Sequence, residues 1–240
     1  MDSLTDGLPG AAAPVLAADL LGRLAALNLD YLDLLIAEAV RPAPAGMRSL
    51  PDPVLETLRK ADRASLRLLA SAAFSLYSLG FEDQEFWRTA LRVDVRIDSP
   101  SIDARYGVAG AAVVQSSFCE IALLHAWHVA VSRPLAARLL LGMSATLVDN
   151  MTNVQLWQLR RIAVDYPGLL MPRWPANPCF WSEMVKFAVA GDARRLHALQ
   201  QLGHQLLAID LLASRDRCSA VRRRQHNLLQ QRLQLSRLSR

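Results

Sequence analysis

One pattern of residues occurs twice in this chain, and it narrows the possible folds more than any other feature. In the first half Arg41-Pro42 precedes Val54, Leu55 and Leu58, then Leu66-x-x-Leu69-Ala70, then Phe86-Trp87. In the second half Arg133-Pro134 precedes Leu147, Val148 and Met151, then Leu159-x-x-Ile162-Ala163, then Phe180-Trp181. Partners lie 92 residues apart at Arg-Pro, 93 through the apolar block and 94 at Phe-Trp. A drift of one residue per segment is what two diverged copies with short insertions leave behind. Unrelated Ala/Leu-rich helical stretches also align, so duplication is an expectation for the fold to test. A chain duplicated in this way is expected to be pseudo-symmetric, and its natural relatives to be homodimers.

The rest of the chain predicts an all-α protein. It is 52% hydrophobic over 240 residues, enough for a sizeable core, and Leu, Ala, Arg and Gln are good helix formers. Five regions are expected: a flexible N-terminus (1–14), a helical repeat (15–92), a linker (93–112), a second helical repeat (113–190) and C-terminal helices with an Arg-rich tail (191–240). In the first repeat, helices are predicted over about 15–40, 52–59, 62–79 and 83–91. Gly80 ends the third, and Asp52-Pro53 opens the second with Pro at the first helical position. Val93-Asp94-Val95-Arg96-Ile97-Asp98 alternates with period two, the one strand-like signal. In the second repeat a helix over about 113–131 is followed by a fresh start at Pro134. Gly142 then turns the chain, Ser144 caps a short helix, and Thr152-x-x-Gln155 has the form of a capping box for the next. Asp192 caps a long amphipathic helix.

The segment 141–163 carries a resemblance. It reads Leu141-Gly142-Met143-Ser144, a short helix, Met151-Thr152, then Gln155-Leu156-Trp157-Gln158-Leu159 and Ile162-Ala163. This resembles the flagellar master transcriptional activators, the FlhD/FlhC family, and most closely its FlhD-type subunit. In the first copy Asn28-Leu29-Asp30-Tyr31-Leu32 is similar to the Asn-Leu-x-Tyr-Leu run near the start of that subunit. The likeness covers roughly 20–90 and 113–185. It implies a helical pseudo-dimer in one polypeptide and a transcriptional regulator that binds double-stranded DNA, associating with itself or with a second regulator-like subunit. The chain departs from the family at several points, and its Arg-rich tail has no counterpart there. It has no cysteine cluster of the FlhC zinc-binding kind, Leu170 stands near a cysteine position of many FlhD-type chains, and Ser49-Leu50 replaces the Leu-Gly step in the first copy.

Two segments are candidates for DNA contact. Residues 144–164 have the lengths of a helix-turn-helix, and Asn153, Gln155, Gln158, Arg160 and Arg161 are the side chains able to reach base edges. The bland alternative is a packed helical hairpin with a polar outer face. The tail carries Arg222, Arg223, Arg224, Arg232 and Arg237 around Val221, Leu228 and Leu235, which are spaced seven apart. That charge suits phosphate contact, or equally a solvated face on a helix that docks through its leucines. Charge is uneven along the chain: residues 1–110 are net −4 and residues 111–240 net +9. A basic end on a neutral body favours a polyanionic partner, either DNA or an acidic protein.

No catalytic, cofactor or metal site is expected. His125 and His128 lie three apart without a further ligand at motif spacing, and Cys119, Cys179 and Cys218 are odd in number and dispersed. There is no phosphate loop or nucleophile elbow. An acidic start, reduced cysteines and the lack of 18 uninterrupted apolar residues predict a cytoplasmic protein without a membrane role. The remaining alternative is a helical adaptor or assembly protein that binds no nucleic acid.

Overall fold

The computed structural model describes residues 16–40, 49–92, 113–177 and 179–213. Over these residues the chain is all-α apart from one pair of two-residue strands. The first half runs α1 (Ala18–Val40), α2 (Asp52–Lys60), α3 (Arg63–Ala70), β1 (Tyr77–Ser78) and α4 (Gln84–Ala90). The second runs α5 (Val113–Ser132), α6 (Pro134–Leu141), α7 (Ala145–Met151), α8 (Leu156–Asp165), a 3-10 turn (Pro167–Leu169), β2 (Met171–Pro172) and α9 (Phe180–Val189). A last helix, α10, occupies 193–213. The period-two run at 93–98 and the arginines beyond 213 lie outside the described residues.

Several elements fall in the same order in both halves, although α6 and the 3-10 turn of the second have no described counterpart in the first. The starts of α2 and α7, Asp52 and Ala145, are 93 positions apart, as are those of α3 and α8, Arg63 and Leu156. Tyr77 and Met171, which open β1 and β2, are 94 apart. The strands pair antiparallel with Tyr77 opposite Pro172 and Ser78 opposite Met171. Exchanging each residue for its partner 94 positions away maps this register onto itself, as a local two-fold axis would. The same exchange pairs two of the left-handed residues: Gly80 has φ 64° and Trp174 has φ 51°. Glycine adopts that conformation freely, whereas tryptophan is held in it against about 1–2 kcal/mol of steric cost.

The halves are interlocked. Helix α4 packs on α7 of the second half, while α9 packs on α2 and α3 of the first. Each Phe-Trp pair divides its work between the two halves. Trp87 Nε1 donates to Gly80 O at 2.9 Å and Trp181 Nε1 to Arg173 O at 2.7 Å, each closing its own loop. The neighbouring phenylalanines reach across: Phe86 meets Tyr166 edge-on at 5.3 Å, and Phe180 meets Phe74 at 6.4 Å. One apolar cluster consequently runs through both halves. Burying each of its larger side chains stabilises the fold by about 1.5–3 kcal/mol before entropy is counted.

Local chemistry explains where the elements differ from expectation. The helix predicted over 62–79 stops at Ala70 because Asn28 takes over the following backbone. Its side-chain amide donates to the carbonyls of Ala70, Ala72 and Phe74 at 3.1, 3.4 and 3.0 Å. Its Oδ1 accepts the Leu76 N–H at 2.9 Å. These bonds replace the ladder that a continuing helix would supply, and they leave the next residues extended for β1. Asp52 is the first residue of α2, with Pro51 as its N-cap and Pro53 in the first turn, a shift of one residue from the expected start. Two predicted caps are present: Ser144 Oγ accepts from Leu147 N–H at 3.2 Å, and Asp192 Oδ1 from Arg195 N–H at 3.0 Å. Gly142, at φ 72°, ends α6 as predicted.

A buried arginine ties the halves at the strand pair. Arg173 Nε donates to Ser75 O at 2.9 Å, and its Nη2 to Ser75 Oγ, Leu141 O and Tyr77 O at 2.7, 2.9 and 3.2 Å. Burial lowers its pKa from the ordinary arginine value, and the charges of Glu82 and Asp210 oppose that shift. Helix α10 then crosses the junction. Leu207 lies over Gly142, His204 meets Phe74 edge-on at 5.2 Å, and Asp210 accepts from Trp174 Nε1 at 2.8 Å. Gly203 is required at this crossing, because a Cβ there would stand 2.4 Å from the Phe74 ring.

Candidate interaction face

Helices α7 and α8 form the helical hairpin that the sequence suggests, and the turn between them is internally satisfied. Thr152 Oγ1 donates to Asp149 O at 2.7 Å, and Asn153 N–H to Asn150 O at 3.2 Å. The expected Thr152-x-x-Gln155 box is displaced by three residues. Gln155 is the N-cap of α8, and its N–H donates to Gln158 Oε1 at 2.8 Å. Thr152 is already bonded back to α7, so it is not the residue that opens α8.

The five predicted base-reading residues of this hairpin do not share one environment. Asn153, Gln155 and Arg160 are exposed and Arg161 is half-buried. Gln158 is 1% exposed and committed to the helix start, so its side chain does not lie on the surface. Arg160 Nε lies 3.6 Å from Glu120 Oε1 on α5. The Arg161 guanidinium sits 5.4 Å from the centre of the Trp157 ring, a cation–π contact. Arg222, Arg223, Arg224, Arg232 and Arg237 lie outside the described residues.

The outward surface of α8 is more apolar than the sequence pattern suggests. Leu156 is 50% exposed, Trp157 52% and Val164 60%, and Ile121, next to Glu120 on the adjoining α5, is 53%. The inner face of α8 is taken by Leu159, Ile162 and Ala163, all buried. Once those three fill the core, residues 157, 160, 161 and 164 must form the opposite stripe, one helical turn apart. That offset was the available signal for Trp157 and Val164 as surface residues.

Burial, together with the charges of His128 and Arg23, pushes His125 down to about 4, so it is neutral at pH 7. His128 is exposed, and among the described residues no three His, Cys, Asp or Glu side chains gather as metal ligands. Burial pushes the Cys119 thiol up to about 12, where it is neither nucleophile nor ligand. No described helix is long and apolar enough to cross a membrane. No family model, curated protein or solved structure matches this chain.

Proposed function

We propose that this chain is a cytoplasmic transcriptional regulator resembling the flagellar master activators, which acts through protein assembly and basic contacts to DNA. The observation that carries the reading is the 93–94-residue offset shared by two helix pairs and the strands, with helices packed across the halves and a self-mapping strand register. A homodimer fused into one chain would have these properties, and the resemblance implies a dimeric relative. The Arg-rich segment from Arg215 onward supplies the phosphate contacts in this reading.

The test is binding of the full chain to generic duplex DNA, followed by fluorescence anisotropy across a salt series. Engagement of about six arginines predicts roughly a thousandfold loss of affinity between 50 and 200 mM salt. Removal of residues 215–240 is expected to abolish the binding. No binding at low salt overturns the DNA half of the reading. A second reading, a helical adaptor that binds no nucleic acid, is favoured by one observation: α8 turns Leu156 and Trp157 outward and Gln158 inward.

A further inference from the structure

We infer that the outward stripe of α8 is a docking face for an acidic amphipathic helix from another protein. The inference rests on the assembly half of the proposed function and is independent of DNA contact. The stripe consists of Leu156, Trp157, Arg160, Arg161 and Val164. From Leu156 to Val164 it runs for about 12 Å along the helix, two turns, which matches the reach of two turns of a partner helix.

Three observations favour this occupant. The first is an internal control. Positions 93 residues earlier, on α3, are Arg63, Ala64, Arg67, Leu68 and Ser71. Of these Arg63, Ala64, Arg67 and Ser71 are exposed, and Arg63 Nη1 lies 2.6 Å from Asp33 Oδ1. The corresponding helix therefore folds with a polar outer face, and the fold itself does not call for Trp157 or Val164. The second is composition: tryptophan and arginine side by side, with aliphatic neighbours, are the residue types that dominate binding energy at protein interfaces. The third is charge. Arg160 and Arg161 border the apolar strip; Arg160 lies 3.6 Å from Glu120 Oε1, whereas among the described residues Arg161 has no carboxylate at ion-pair distance. A helix with glutamate or aspartate beside its apolar face complements that border. Nucleic acid fits less well, because Leu156 and Val164 can neither stack on bases nor pair with phosphate.

A displayed library of amphipathic helical peptides, with charge randomised beside the apolar positions, tests this by selection on the full-length chain. Enriched peptides are then titrated by fluorescence anisotropy. The expected result is enrichment of acidic sequences whose affinity falls about tenfold or more with Trp157→Ala. Arg161→Glu is expected to weaken acidic peptides and to strengthen their basic counterparts. Arg67→Glu, on the corresponding helix of the first half, is expected to leave binding unchanged. Circular dichroism and the urea midpoint establish that each variant is folded. The inference is overturned if nothing enriches, if the enriched peptides are not acidic, or if they bind Trp157→Ala as tightly as the parent. It is also overturned if single-stranded DNA binds through Trp157 in their place, or if sedimentation finds a self-assembled dimer that Trp157→Ala disperses. Loss of DNA binding alone leaves the expected peptide results in force, which separates this inference from the DNA half of the function.

Discussion

On α3 the outward residues are Arg63, Ala64, Arg67 and Ser71; ninety-three positions on, α8 presents Leu156, Trp157, Arg160 and Val164. Inward, the two helices agree: Leu66, Leu69 and Ala70 on one, Leu159, Ile162 and Ala163 on the other, all buried. The inner face is constrained by packing, where even one methylene is felt, whereas the outer face is free to diverge. The halves also stabilise the same connection by different means. In the first, Asn28 holds the backbone after α3 with four hydrogen bonds. In the second, the 3-10 turn at Pro167–Leu169 does so with local bonds, Leu169 N–H to Tyr166 O at 3.1 Å and Leu170 N–H to Pro167 O at 3.2 Å.

The comparison is most severely tested where the halves meet. Arg173→Met is expected to cost about 3–5 kcal/mol, because it strips buried carbonyls in both halves of their donor. A urea midpoint close to the parent's would mean that the junction does not depend on this side chain. Asn28→Leu is expected to cost roughly 3 kcal/mol, since the amide of Leu76 and several carbonyls lose their partners together. Amide hydrogen exchange should report faster opening around residues 70–76 before any change near 164–170. Equal loss in both places would contradict the division described above.

Gly203→Ala is expected to cost about 1–3 kcal/mol by pushing α10 off Phe74. An unchanged midpoint would mean that α10 is not seated on the junction. Acid separates the halves in another way, because all five histidines follow residue 124. His125 titrates near 4 when folded, below its ordinary value of 6.5. The folded state therefore binds fewer protons than the unfolded state between these values. The stability contributed by neutral His125 is complete above about pH 6.5 and is lost as pH falls through about 4. His125→Gln is expected to flatten this part of the stability–pH curve. The smallest effect is expected at Trp157→Ala, within about 0.5 kcal/mol, because the ring lies largely outside the core.

Much of this fold was legible in the sequence because its signals are local and periodic. The helix faces, the Ser144 and Asp192 caps and the Gly142 turn each follow from neighbouring residues. The early end of α3 was not legible, since it depends on Asn28, more than forty positions away. The role of Arg173 was hidden for the same reason: its partners come from Ser75, Tyr77 and Leu141, separate stretches that only the fold brings together. For the interaction face, residue types and helix positions are readable in the sequence, but the inward orientation of Gln158 is not. A glutamine three residues after an N-cap reads as polar surface until its carboxamide is seen bonded back to the helix start.

The central claim is that the halves form one interlocked unit through exchanged helices and the shared strand pair. It is tested most directly by urea unfolding of the full chain labelled with 5-fluorotryptophan. Trp87 and Trp181 report on the first and second halves through separate fluorine resonances. The account predicts that both resonances pass to their unfolded positions at the same urea concentration, in one cooperative transition. Two separated midpoints, with one tryptophan released while the other stays native, would contradict it.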